Sequence, residues 1–100
     1  MAIYAMTGGA TGIGAALKEQ LRADGHTVIV VDIRDADVVA DLSTVEGRRA
    51  AVDGVTAAAP DGLDGFIACA GLGTHVKPPG LIGAVNYFGA VATIEGIREL

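Results

Sequence analysis

Three glycines and one carboxylate carry the chemistry that this chain's residue types support best. Gly8, Gly12 and Gly14 stand in the run Thr7-Gly8-Gly9-Ala10-Thr11-Gly12-Ile13-Gly14, between a short apolar stretch and an alanine-rich one. A strand, a glycine turn and a helix in that order form a corner for a pyrophosphate. Gly8 lets the chain leave the strand sharply, Gly12 keeps a Cβ away from the phosphates, and Gly14 lets the helix lie close on the strand. The helix then offers unpaired N–H groups and the positive end of its dipole to the anion. Asp32 follows about 20 residues further on, where a dinucleotide fold places an acid to accept from ribose hydroxyls. A carboxylate there repels a 2′-phosphate, so Asp32 predicts NAD over NADP. Arg34 pulls the other way, since an arginine after this strand can accommodate that phosphate. The plainer alternatives are a tight turn and a charged strand end.

The elements that must hold these groups are legible as an alternation of strands and helices. Residues 2–6 are short and almost wholly apolar, as expected of a parallel strand covered on both faces. Residues 11–23 read as a helix with Ile13, Leu17 and Leu21 on one face. Asp24-Gly25-His26 ends it, with Gly25 just past the last turn and His26 a solvent-exposed turn residue. Residues 27–33 form the second strand, β-branched at Val28, Ile29, Val30 and Val31. After the turn Asp35-Ala36-Asp37, residues 38–40 make a very short third strand. The connection leaves no room for a crossover helix: either that helix has been trimmed away or the link is a loop. Residues 44–59 read as a helix with Val45, Ala51, Val52, Val55 and Ala59 inward and Arg48, Arg49 and Asp53 solvated. Pro60-Asp61-Gly62 breaks it, and residues 63–69 form a fourth strand. A loop over 73–80 leads to a helical pattern from Leu81 to the end. The expected fold class is α/β, a Rossmann-type doubly wound parallel sheet, truncated, with strand order 3-2-1-4.

Composition narrows the function classes. One hundred residues make at most one domain. With 51% hydrophobic but only 4% aromatic residues, the core must be built from Ala, Val, Ile and Leu. A net charge of −5 argues against nucleic acid or a membrane surface as partner. Cys69 is the only cysteine, which excludes a disulfide framework and fits a reducing cytoplasm. It reads as a small buried hydrophobe, not a nucleophile. No apolar run approaches the ~20 residues that span a bilayer, and no metal is expected.

The pattern Thr-Gly-x-x-x-Gly-x-Gly resembles the classical short-chain dehydrogenase/reductase family. The resemblance implies that Thr7, Gly8, Thr11, Gly12, Ile13 and Gly14 hold the cofactor with Asp32. Asp41-Leu42 matches the family's acid and apolar pair, whose carboxylate accepts from the adenine amino group with help from the next backbone. The local alternative for Asp41 is a helix N-cap, a role that Ser43 could also fill. Ala68-Cys69-Ala70-Gly71 stands where Asn-Asn-Ala-Gly is usual, so Ala70 and Gly71 keep the close backbone approach and both asparagines are replaced. Asn86, with Gly89 behind it, matches the family's Asn-x-x-Gly, where the amide bends the helix and supports a proton relay; the alternative is an amide bonded to its own helix. Within the family, the texture of residues 32–37, 41–48, 69–73 and 85–90 is similar to the bacterial 3α-hydroxysteroid dehydrogenase/carbonyl reductases.

The family's acid–base chemistry also needs a Tyr-x-x-x-Lys pair and a serine. The two tyrosines here, Tyr4 and Tyr87, have Gly8 and Val91 four residues on. The resemblance therefore implies the cofactor-binding, N-terminal part (residues 1–100) of an NAD-dependent oxidoreductase acting on a secondary alcohol or ketone. The other reading is a complete, non-catalytic nucleotide-binding module. A small-molecule substrate and a homo-oligomer associating through the last helix are further implications of the resemblance.

Overall fold

The computed structural model describes residues 2–9, 12–70 and 90–97. Four parallel strands form one sheet in the order β3-β2-β1-β4: β1 Ile3–Thr7, β2 Thr27–Asp32, β3 Val38–Val39 and β4 Gly65–Ala68. The helices are α1 Gly12–Ala23, α2 Val45–Ala58 and α3 Ala90–Ile97. The order and the parallel pairing are those expected of the truncated Rossmann-type sheet.

Two apolar layers sandwich the sheet. On one side Ala5, Ile29 and Val31 pack with Ala51 and Val55 of α2 and Ile97 of α3. On the other, Met6, Val28 and Val30 pack against Leu17 and Leu21 of α1. Successive β2 residues thus feed opposite layers, as the period of two requires. Two expected core positions differ. Ile13 is 85% exposed, because it lies in the first turn of α1, ahead of the part that rests on the sheet. Val45 is exposed as the first residue of α2.

Helix α1 closes in a Schellman motif. The His26 N–H donates to the Leu21 carbonyl at 3.0 Å and the Gly25 N–H to that of Arg22 at 3.1 Å. His26 is not a solvated turn residue. Its Nδ1 accepts from the Ala2 N–H at 3.0 Å, and its ring meets Tyr4 edge-on at 5.4 Å, which pins the start of β1.

The link from β2 to β3 is a loop. A five-residue bridge between parallel strands is far below the usual dozen, and the cost falls on β3, which pairs only with Val31 and Asp32. Further back along β2 two side chains replace the missing strand. Asp37 Oδ2 accepts from the Val30 N–H at 2.8 Å, and Arg22 Nη2 donates to the Val28 carbonyl at 2.9 Å. The two side chains also meet each other at 3.5 Å.

Candidate functional site

The carboxyl ends of β1, β2 and β4 come together, and the glycine turn sits on them. Register places Thr7 opposite Val31 on one side and Ala68 on the other. The Gly8 N–H donates to the Val31 carbonyl at 2.8 Å, so the turn is tied to β2 one residue before Asp32. Thr7 is buried. Its carbonyl accepts from the Cys69 N–H at 3.1 Å and its hydroxyl from the Ala70 N–H at 3.2 Å. Thr7 therefore braces the turn from beneath.

The two outer glycines of the left-handed part differ in their surroundings. Gly8 has φ +77°, and a Cβ there would stand 2.7 Å from Ala70 N and Cα. Gly12 has φ +62°, and a Cβ there would meet nothing within 4 Å. One position is closed by the protein's own backbone, and the other opens onto the space above the turn. A Cβ on Gly14 would collide with the Gly8 carbonyl, so the helix start rests directly on the turn. The exposed Ile13 stands between these two glycines.

Asp32 ends β2 half-buried, with Oδ1 accepting its neighbour Ile33's N–H at 2.7 Å. Its carbonyl accepts from the Ala40 N–H at 2.9 Å. That bond brings the segment carrying Asp41 and Leu42 alongside. Leu42 is buried in the core, while the Asp41 carboxylate is exposed. The Ser43 hydroxyl at 2.6 Å and the Ser43 amide at 2.9 Å both donate to Asp41 Oδ1. The Ser43 hydroxyl first, and its amide second, hold the Asp41 carboxyl below its ordinary value of 3.8, against a small opposing effect of burial.

Neither Asp41 nor Ser43 caps α2. Thr44 does, accepting the Gly47 N–H at 2.9 Å with extended backbone angles. Asp41, Ser43 and Thr44 are all capping types, and local pattern alone does not rank them. Arg48 is not a solvated residue either. Its Nε donates to the Leu42 carbonyl at 2.8 Å and its Nη2 to the Ser43 carbonyl at 3.4 Å. The spacing Asp-x-Ser, the signature of an Asx turn, was the available signal for Ser43; Arg48 had none.

Thus Thr7, Gly8, Asp32, Asp41, Leu42 and Ala70 lie at the carboxyl ends of the strands or in the loops that leave them, and Gly12, Ile13 and Gly14 form the first turn of α1. Thr11, Gly71 and Asn86 lie outside the described residues. Among the described residues no metal-binding cluster occurs, and no helix is long and apolar enough to cross a membrane. Cys69 is a free thiol, half-buried against the Met6 layer.

No protein-family model matches the chain. It is 50% identical over 95 residues to a 3-alpha-hydroxysteroid dehydrogenase/carbonyl reductase of Comamonas testosteroni, covering 95% of this chain and 37% of that protein. It is 38% identical over 98 residues to a coniferyl-alcohol dehydrogenase of Pseudomonas sp. (strain HR199 / DSM 7063), covering 92% of this chain and 36% of that protein. Among solved structures, the 3-alpha-hydroxysteroid dehydrogenase of Pseudomonas sp. B-0831, complexed with NADH, matches with a TM-score of 0.95 at 50% identity, over 97% of this chain and 38% of that one. The chain spans little more than a third of the length of these relatives. Identity at every second residue, on a backbone that superposes nearly end to end, places the chain in the short-chain dehydrogenase/reductase family.

Proposed function

We propose that these residues are the cofactor-binding part of an NAD-dependent oxidoreductase that interconverts a secondary alcohol and a ketone, with hydroxysteroids or other carbonyl compounds as the substrate class. One observation carries the reading. The Gly8 N–H bond to the Val31 carbonyl holds the glycine turn and Asp32 at adjoining strand ends. Those are the two contacts a dinucleotide needs: one for its pyrophosphate and one for its ribose. The relatives' names and the NADH in one of their structures support the same reading.

The residues fit the cofactor. Open space at Gly12 leaves room for phosphates over the start of α1, where unpaired N–H groups favour an anion. Asp32 would accept from the adenosine ribose hydroxyls. The Asp41 carboxylate and the Leu42 backbone would take the adenine, and Ala70 and Gly71 would line the ribose side. Thr7, Thr11, Ile13 and Gly14 would complete the turn. A bound nicotinamide supplies the carbon that gives or takes hydride. The chain's own residues bind and orient it, and Asn86 would support a proton relay. The sequence contains no Tyr-x-x-x-Lys pair, so the acid–base step is not assigned to any residue here. A cytoplasmic location and self-association through α3, where Ile94 is exposed, belong to the same reading.

Titration with NADH and NADPH, followed by nucleotide fluorescence, tests it. The protein should bind NADH more tightly. Asp32→Ala should weaken NADH about tenfold or more, the worth of a hydrogen bond to a charged group, and narrow the preference over NADPH. An unchanged preference would remove Asp32 from the site.

A further inference from the structure

The loop that carries Asp41 is held more tightly than an exposed loop requires. Both hydrogen bonds from Ser43 fall on one carboxylate oxygen, Oδ1. Among the described residues, none donates to Oδ2, and the Leu42 amide donates to none. The backbone around them is fixed from both sides. Ala40 is bonded to the Asp32 carbonyl, and Arg48 grips the carbonyls of Leu42 and Ser43. The Thr44 hydroxyl donates to the Asp41 carbonyl at 3.2 Å, and only a glycine at position 47 leaves room for that carbonyl. The result is one carboxylate oxygen and one backbone N–H, two atoms of adjacent residues, held in a constant relation.

We propose that Ser43 is a positioning residue for base recognition: by holding Asp41 Oδ1, it presents Oδ2 and the Leu42 amide as a rigid acceptor–donor pair that selects a 6-aminopurine over a 6-oxopurine. This rests on the adenine role proposed above for Asp41. Adenine offers a donor at its 6-amino group and an acceptor at N1, which complement such a pair. Hypoxanthine inverts both. Its 6-oxo group faces the carboxylate, and its N1–H faces the Leu42 N–H. Rejection of the wrong base comes from these two mismatches, and it is effective only if the carboxylate cannot turn away. Without the Ser43 hydroxyl, Asp41 Oδ1 keeps only the bond from the Ser43 amide, and the carboxylate gains rotamer freedom. The right base then loses affinity, while the wrong one escapes part of its repulsion. Recognition here depends on holding the contacting group still.

The test titrates the purified protein with NADH and with reduced nicotinamide hypoxanthine dinucleotide, for the parent, Ser43→Ala and Ser43→Thr. The parent should favour NADH by about tenfold or more, as one or more bonds to a charged group imply. Ser43→Ala should lower that ratio at least about threefold, and Ser43→Thr, which keeps the hydroxyl, should restore it. If Ser43→Ala weakens both nucleotides equally, Ser43 is merely structural and the inference falls while the function stands. If the parent binds NADH without discriminating the bases, Asp41 does not read adenine, and both its role and that of Ser43 are overturned. If the parent binds neither nucleotide, the proposed function falls and takes the inference with it.

Discussion

Alanine at Gly8 and alanine at Gly12 should rank in opposite orders for loss of stability and for loss of ligand binding. Both glycines sit at positive φ, +77° and +62°, so each substitution pays the left-handed penalty of about 1–2 kcal/mol. At Gly12 the cost should end there, because the new methyl meets nothing within 4 Å. At Gly8 the methyl would lie 2.7 Å from two backbone atoms of Ala70 and 2.9 Å from the Cys69 carbonyl carbon. Backbone cannot swing aside as a flexible side chain can. Relief requires β4 to move away from β1, which endangers the Thr7 bonds to Cys69 and Ala70, at about 1 kcal/mol each. The expected loss is about 3–4 kcal/mol for Gly8→Ala against about 1–2 kcal/mol for Gly12→Ala. Urea unfolding of both variants measures the difference. The same samples titrated with NADH should rank the other way once corrected for the folded fraction. Gly12→Ala places its methyl where the pyrophosphate is proposed to lie and should bind far more weakly per folded molecule. Equal destabilisation by the two alanines would refute the account of the turn. Unimpaired NADH binding by Gly12→Ala would refute the placement of the phosphates.

Two further outcomes follow from the hydrogen bonds. Asp37→Ala should free the Val30 amide and release Arg22, costing about 1–2 kcal/mol; amide exchange should speed up at Val30, with Ile29, bonded within the sheet, changing less. Because Ser43 favours the ionised Asp41, the folded pKa lies below 3.8. That stabilisation is fully present above 3.8 and is lost as pH falls through the folded value. The stability gap between the parent and Ser43→Ala should therefore be constant from neutral pH down to about pH 5 and shrink in stronger acid; a gap that widens in acid would contradict it.

Much of the fold can be read from local pattern, and the exceptions share a cause. The run Val28-Ile29-Val30-Val31 announces a buried strand, and Gly8 and Gly25 mark where chain direction changes. Parallel pairing follows where helices connect the strands, and the order β3-β2-β1-β4 is the one a Rossmann-type fold implies once the glycine turn and Asp32 have marked it. Where several residues of one type compete, pattern gives no ranking. Asp41, Ser43 and Thr44 could each cap α2; Thr44 does, while the Asp41 and Ser43 side chains bond to each other. Ile13 shares a helical stripe with Leu17 and Leu21, yet it lies beyond the sheet's edge, and stripe arithmetic takes no account of where a neighbouring layer ends. His26 and Arg48 are polar residues bonded to backbone outside their own turn, at Ala2 in one case and in the preceding Leu42 loop in the other. Among the candidate site residues, the glycines and Asp32 stand out by the spacing of a dinucleotide fold, and Asp41 only by the family resemblance. Of the residues that support them, Ser43 has the Asp-x-Ser spacing of an Asx turn and Arg48 has no such rule.

The loop that replaces a helix between β2 and β3 also bears on the protein's solubility. A free sheet margin is a template on which other chains can add strands, the first step of fibre growth. Here the outermost strand has two residues, too few to seed such growth. The stretch of β2 it leaves uncovered is occupied by a guanidinium and a carboxylate, both charged and half in solvent. An incoming strand would have to displace both and desolvate them. The same economy that shortened the connection therefore leaves that margin blocked against edge-to-edge aggregation.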